Sequence, residues 1–466
     1  MVLRIRLADG SMEKVMVPHG AEETMTLSDL LNPFEIEKDS SIQIGTTTTR
    51  SKEVDTSSPL SGLGVKHGSL ITVKSATIQK PTESRFKQLK VDHNTTWHPF
   101  PDLAKDYEHA LLKTKTRRSS QKGMSYGDIA RLQSSLHIVE PQQKGPLKRF
   151  YMCHKSAERF QANGIVKKAI HARVGLLLGT VQTERVDSKP RKARTSLSSQ
   201  TSDSDYCTVA KVQAVWEPPG QNKNAAPGSV YDETLAQSLL TKNPRVLAVA
   251  EELGLVPIGW MFSHKDNRHQ DDEALPVFGL DVKTAAKLQI TNMQQRNEID
   301  GRKFATLAMD ATTGATEAFQ LSDVSVQMVH EEMIITNPGE SRRLVPTKHA
   351  VLVDGRETKE LDSVLCLVNT AMLSHAGAYS GTIASVKKNG SLTNKARKAL
   401  IAALDDDRKL LEQLCDFNAL LALDQSLSKD DSQQLCQLVR KWARGQKQGT
   451  QVGSKLKRQL RIVLES

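Results

Sequence analysis

At 466 residues the chain is longer than one ordinary core can serve, which predicts about two to four domains. No run of about twenty apolar residues is present, and "MVLRIRLADG" alternates apolar and charged residues where a secretory leader needs a continuous apolar stretch, so a soluble intracellular protein is expected. The net charge of +11 is concentrated in residues 80–149, with 14 Lys or Arg against 7 Asp or Glu, and in residues 437–466, with 8 against 1; the remaining −3 and the scarcity of interleaved aromatic side chains argue against direct nucleic-acid binding.

In chain order, "LRIRLADGSMEKVMVP" alternates on both sides of Asp9-Gly10, the pattern of a β-hairpin. "TLSDLLNPFEI" gives a capped short helix stopped by Pro33, and "SSIQIG" and "KHGSLITVKS" give two strands, the second entered through a turn at Gly68. This ββαββ order over residues 1–78 suggests a ubiquitin-like roll. Residues 79–148 read as a basic linker with short docking elements; Trp97, Phe100 and Tyr107 are partner-contact candidates, because a plain spacer needs no aromatic anchors. Compact α/β character begins at Phe150. A helix is expected over "KSAERFQANGIVKKAI", a core strand over "RVGLLLGTV", and a disordered polar insertion over residues 184–204. Further strands are expected at "YCTVAKVQAVWEPPG" and "LVPIGWMFS", with helices at "DETLAQSLL", "RVLAVAEELG" and "VKTAAKLQITNMQQ". "KFATLAMDATTGATEAFQLSD" reads as two strands about a Thr-Gly turn, and strands at "HAVLVDG" and "SVLCLVNT" are expected to complete a mixed sheet ending near residue 380. Residues 381–466 are helical in pattern: Leu400, Leu404, Leu411 and Leu414 suggest one helix, and Leu435, Leu438, Val439 and Trp442 share the face of another that Ser428 can cap. The fold class is therefore α+β and multidomain.

For chemistry, the stretch "GWMFSHKDNRHQ" draws the eye, with His264, Asp266, His269 and nearby Asp271 all able to bind a metal. The five cysteines, Cys153, Cys207, Cys366, Cys415 and Cys436, form no CxxC, so a cysteine zinc finger is not expected. Zinc hydrolases of the JAMM type, within the MPN fold, carry a glutamate before a glycine-flanked core strand, then HxHP, seven residues, Ser, two residues and Asp. "RVGLLLG" and "IGWMFSHK" resemble these strands. Residue by residue, the glutamate position falls on Ala172, the first histidine on Phe262, the second on His264, the serine on Phe278 and the aspartate on Asp281; Lys265 replaces the proline. His264 and Asp281 are seventeen positions apart against twelve in the motif. Two ligands without a base leave zinc poorly held and no group to deprotonate its water, even if His269 or Asp271 swings in. No GxSxG, HExxH or P-loop is present. The expectation is a non-enzyme with a degenerate site, no metal and no cofactor, with His264 a surface or hydrogen-bonded histidine and the lengthened loop a ubiquitin-facing surface.

"LSGLGVKHGSLITV", "VQAVWEPPG", "LGLVPIGWMFS", "EAFQLSDVSVQMV" and "CDFNALLALDQSLSKDDSQQLCQLVRKW", in this order, resemble the nuclear protein localization protein 4 family in a form lacking zinc fingers. The resemblance implies a ubiquitin-like domain of UBX type (1–78), an inactive MPN domain (149–380) and a helical C-terminal region (381–466). It also implies an adaptor that, with a ubiquitin fusion degradation protein 1-like subunit, recruits polyubiquitinated proteins to a valosin-containing-protein-type AAA+ ATPase for unfolding and proteasomal degradation, including endoplasmic-reticulum-associated degradation. Arg50, Lys66 and His67 are then the ATPase-docking candidates. Cytoplasm and nucleus are the expected compartments, with peripheral recruitment to the endoplasmic reticulum and no membrane insertion. The competing readings are a zinc deubiquitinase and a nucleic-acid-associated scaffold.

Overall fold

The sequences before and after Asp9-Gly10 pair antiparallel, β1 (Val2–Arg6) with β2 (Met12–Met16), in the register Val2↔Met16 to Arg6↔Met12. The fold is that of a computed structural model describing residues 2–6, 12–17, 21, 24–34, 41–45, 52–53, 59–63, 65, 68–74, 138–166, 169–170, 172–185, 206–219, 221, 231–264, 275–336, 342–380, 386 and 390–465. Together with β3 (Ser41–Gly45), β4 (Lys52–Glu53) and β5 (Leu70–Lys74) the hairpin forms a sheet of order β2-β1-β5-β3-β4, in which β1 and β5 run parallel. The helix Leu27–Leu31 starts at a reciprocal cap: Thr26 Oγ1 accepts the Asp29 N–H, and Asp29 Oδ2 accepts the Thr26 N–H. Its Leu27, Leu30 and Leu31 close a core with Leu3, Ile5, Ile42, Ile71 and Val73. Gly68 enters β5 at φ 80°, a left-handed conformation that suits glycine.

The chain divides into two compact units, each made of several segments. The first contains Met1–Gly145, Asn267–Lys287 and Leu321–Asn369, and the second Pro146–Asp266, Leu288–Gln320 and Thr370–Ser466.

The second unit is built on β6 (Arg149–Cys153) and the helix His154–Gly164. The helix expected to reach residue 170 stops at Gly164. The β-branched pair that follows favours extended backbone, and β7 (Ile165–Val166) pairs with β8 (Ala169–Ile170) instead. Next come β9 (Val174–Arg185), β10 (Tyr206–Trp216), β11 (Val256–His264), β12 (Ala305–Asp310) and β13 (Thr316–Leu321). With the strand Ala371–His375 they run in the order β13, β12, β11, β9, β10, β6, Ala371–His375. Gly179 and Gly259 let neighbouring backbones close in: a Cβ on the first would collide with the Lys211 carbonyl oxygen, and one on the second with that of Ala305. The core holds Phe150, Phe160, Leu177, Val212, Ile258, Met261 and Leu307.

Pro244 opens the helix Pro244–Glu252, and Gly254 at φ 72° ends it, the Leu255 N–H returning to the Ala250 carbonyl. The C-terminal helices also lie in this unit. The single helix expected across Leu400 to Leu414 is two, Asn394–Ala403 and Asp407–Leu414, because Asp406 turns its carboxylate onto the N–H groups of Arg408 and Lys409 and starts a new helix. Phe417–Asp424, Lys429–Ala443 and Ser454–Glu465 follow, with Leu435, Val439 and Trp442 buried on one face and Leu438 partly buried. Arg440 lies over Gly254 and donates to the Glu252 carbonyl at 3.3 Å, while Gln433 reaches the Glu252 carboxylate at 2.7 Å.

In the first unit, Ser322 caps the helix Asp323–His330, and Leu344–Val353 pairs with Arg356–Asp362 as a separate antiparallel ribbon, so "HAVLVDG" does not extend the large sheet as expected. "SVLCLVNT" is only partly a strand. Asp362 Oδ1 takes the Val364 N–H and starts a 3₁₀ turn, Ser363–Cys366, before the short strand Leu367–Asn369. No helix among the described residues is long and apolar enough to cross a membrane.

Candidate functional site

Successive side chains on a strand alternate, so β11 sends Trp260, Phe262 and His264 to one face. Tyr231 packs onto that face, its ring 5.6 Å from Trp260 and 5.5 Å from Phe262; Trp260 and Phe262 are 5.2 Å apart. Trp260 is anchored by its indole N–H, which donates to Thr306 Oγ1 at 3.0 Å. Phe262 is fully buried, and its ring lies 6.3 Å from that of His264. His264 is itself buried, which corrects the surface alternative and leaves the hydrogen-bonded one: the strand continues to this residue inside the sheet, its carbonyl accepting the Ala311 N–H.

β9 lies antiparallel to β11, with Val174 opposite Phe262. Ala172, buried and with no group to move a proton, precedes Arg173, whose N–H donates to Ser263 Oγ and whose carbonyl accepts the Ser263 N–H, both at 2.9 Å. The Arg173 guanidinium pairs with Glu217 at 2.5 Å, and Asn163 donates to the same carboxylate at 2.7 Å. Burial nevertheless pushes the Glu217 carboxyl above its ordinary range, with Arg173 opposing the shift. Phe278 and Asp281 belong to the first unit, and both are buried there. Asp281 Oδ2 accepts the Phe278 N–H at 2.8 Å in the first turn of the helix Gly279–Gln295, a capping role.

Sequence reasoning missed Asp310 and Glu317. Asp310 stands opposite His264 in the β11–β12 register, and Glu317 opposite Ala308 in the β12–β13 register; both are buried. Asp310 Oδ1 accepts the N–H groups of Thr312 and Thr313 at 2.6 and 3.1 Å and so shapes the hairpin turn, whereas Oδ2 is buried with no hydrogen-bond partner among the described residues. "MDATTG" carries the turn signal, an Asp followed by Thr-Thr-Gly, but not the depth at which the turn begins.

Chemically, Phe262 offers no lone pair to a metal, and Ala172 offers no base. Zinc in a hydrolytic site needs three protein ligands and an open position, and among the described residues no three His, Cys, Asp or Glu side chains are grouped to hold a metal. The described residues of the site, Ala172, Phe262, His264, Phe278 and Asp281, do not fit a catalytic zinc. Lys265, Asp266, His269 and Asp271 lie outside the described residues, as do Arg50, Lys66, His67, Trp97, Phe100, Tyr107 and residues 186–204 of the expected insertion, whose first two residues, 184 and 185, belong instead to β9.

No family model matches the chain. Among curated proteins, NPL4-like protein 2 of Arabidopsis thaliana is 26% identical over 240 residues, which is 49% of this chain and 54% of that protein. NPL4-like protein 1 of the same plant is 26% identical over 242 residues, with the same shares. The chain thus matches about half the length of these relatives. The family that the sequence strings resemble is the one these proteins carry in their names: over about half its length, this chain is similar to the NPL4-like proteins.

Proposed function

We propose that this chain is a non-enzymatic adaptor of the ubiquitin pathway, one that binds polyubiquitinated proteins and brings them to a valosin-containing-protein-type AAA+ ATPase. The observation that carries the reading is Phe262. Where a JAMM hydrolase places a zinc histidine, this chain has a buried phenylalanine packed on Trp260 and Tyr231, and Ala172 stands at the glutamate position. A site remade as core keeps a fold and a surface but no hydrolytic chemistry. The NPL4-like relatives support the same direction.

In this reading β1–β5 form the ubiquitin-like docking domain, the large sheet is an MPN domain with a degenerate JAMM site, and the C-terminal helices extend it. The clients then include proteins extracted from the endoplasmic reticulum, with a ubiquitin fusion degradation protein 1-like subunit as co-adaptor and the cytoplasm and nucleus as compartments. With no CxxC in the sequence for a zinc finger, docking leans on residues 1–78, with Arg50, Lys66 and His67 as first candidates and Trp97, Phe100 and Tyr107 as contacts to a partner.

The test mixes purified full chain with the ATPase and polyubiquitin, beside a variant in which Arg50, Lys66 and His67 are alanine. Recovery of both partners by the full chain, with the ATPase reduced in the variant, supports the adaptor. Recovery of neither overturns it, and one tightly bound zinc with ubiquitin cleavage lost in His264→Ala replaces it with the deubiquitinase.

A further inference from the structure

Arg4 and Lys14 stand opposite each other in the β1–β2 register, on the face of the sheet away from Leu3, Ile5 and Val15. Two cations on an outer face are ordinarily wet. Here Arg4 is 0% and Lys14 only 9% exposed. The cover comes from the same unit: Lys14 Nζ donates to the Val364 carbonyl at 2.9 Å and to the Leu367 carbonyl, both on or beside the turn Ser363–Cys366, 350 and 353 positions along the chain. Arg4 Nε donates to the Gly68 carbonyl at 2.9 Å.

Burial and the Arg4 guanidinium favour the uncharged amine, and they outweigh Cys366 and the Asp362 carboxylate, which favour the ammonium. Arg4, on its own sheet, repels an ammonium. Across the contact, the Asp362 carboxylate is engaged by the Arg343 guanidinium at 2.6 and 3.0 Å and by the Val364 N–H, and burial holds the Cys366 thiol protonated by pushing it up to about 11. Lys14 forms no ion pair among the described residues. Both acceptors are neutral carbonyls, so neither bond pairs an enclosed ammonium with an anion. Burial first, and Arg4 second, bring Lys14 down to about 7.

We propose that Lys14 is a proton-controlled latch, which holds the outer face of the N-terminal sheet against the Ser363–Leu367 segment while the amine is neutral and loosens as the amine is protonated. The released lysine titrates near its ordinary 10.5. Between that value and about 7 the open form binds more protons than the closed one, so the contact strengthens as pH rises through this window and reaches its weakest below it. The opening constant then grows about 50-fold from pH 9 to pH 7. Opening uncovers Arg4 and Lys14, so a proton gates access to this face.

The full chain tests this by competitive acetylation with trace acetic anhydride. Lys14 labelling, normalised to the exposed Lys455 in the same sample, is expected to fall about 50-fold from pH 7 to pH 9. A ratio that does not change with pH overturns the latch. Hydrogen exchange gives a second reading: after correction for intrinsic rates, the Val364 and Leu367 amides lose protection as pH falls from 9 to 7, while those of Ile5 and Ile71 keep theirs. In Lys14→Met this pH dependence disappears; if it persists with the sheet still protected, another group is responsible and the proposal fails.

Discussion

Phe262→Ala tests whether the ligand position has become core. The side chain is fully buried and touches two aromatic rings, Trp260 at 5.2 Å and Tyr231 at 5.5 Å between centroids. Truncating a buried phenylalanine costs about 3–5 kcal/mol through lost transfer energy and the cavity left behind. The aromatic contacts argue for the upper half of that range, since each such pair adds about 0.5–1.5 kcal/mol beyond area. Set against a domain stability of about 5–15 kcal/mol, this is a large fraction. At about 2–4 °C per kcal/mol for a unit of this size, the midpoint should drop by about 8–20 °C. Thermal unfolding followed by tryptophan fluorescence reports it directly, because Trp260 is in the same cluster. A shift of less than about 2 °C would refute the packing argument.

Three further outcomes follow from local geometry. Gly254→Ala places a Cβ in the left-handed region, 2.7 Å from the Arg440 guanidinium, and should destabilise the second unit by about 1–2 kcal/mol in urea unfolding; an unchanged midpoint would contradict the left-handed stop at Gly254. Asp281→Ala removes the acceptor for the Phe278 N–H and should cost about 1–2 kcal/mol by the same measurement, with no change in bound metal by elemental analysis. Burial raises Cys366 and Cys415 to about 11 and Cys436 to about 12, so at pH 8 only about a thousandth or less of each is thiolate. A chromogenic disulfide reagent should label these three slowly in the native protein and quickly in urea, the native rate rising with pH; rapid native labelling at pH 8 would contradict their burial.

Where the sequence was readable, a local rule and the tertiary environment agreed. The nearly unbroken apolar run "VPIGWMFS" marks a strand buried on both faces, and the Gly254 stop and the Ser428 start sit where helix-end chemistry demands them. It was unreadable where the two competed. The apolar run "SVLCLV" looks like a strand, but the Asp362 carboxylate, capturing the Val364 N–H, bends it into a turn. The leucine stripe from 400 to 414 hides a break made by Asp406, a residue that looks only like surface charge. At the candidate site, Phe262 and Ala172 could be read as losses by alignment with a motif. Asp310 and Glu317 could not, because only strand register reveals which acids the sheet buries. Lys14 was hidden for the same reason: nothing in "MEKVM" shows that carbonyls some 350 residues later enclose its amine.

The account turns on whether this chain holds ubiquitin chains without cutting them. Incubating purified full-length chain with defined polyubiquitin and the AAA+ ATPase, then reading both co-recovery and ubiquitin chain length on one gel, measures this directly. The adaptor predicts that polyubiquitin is recovered with the ATPase at its original length, and equally so with His264→Ala. Shortening of the ubiquitin chains that His264→Ala abolishes, or recovery of neither partner, would contradict it.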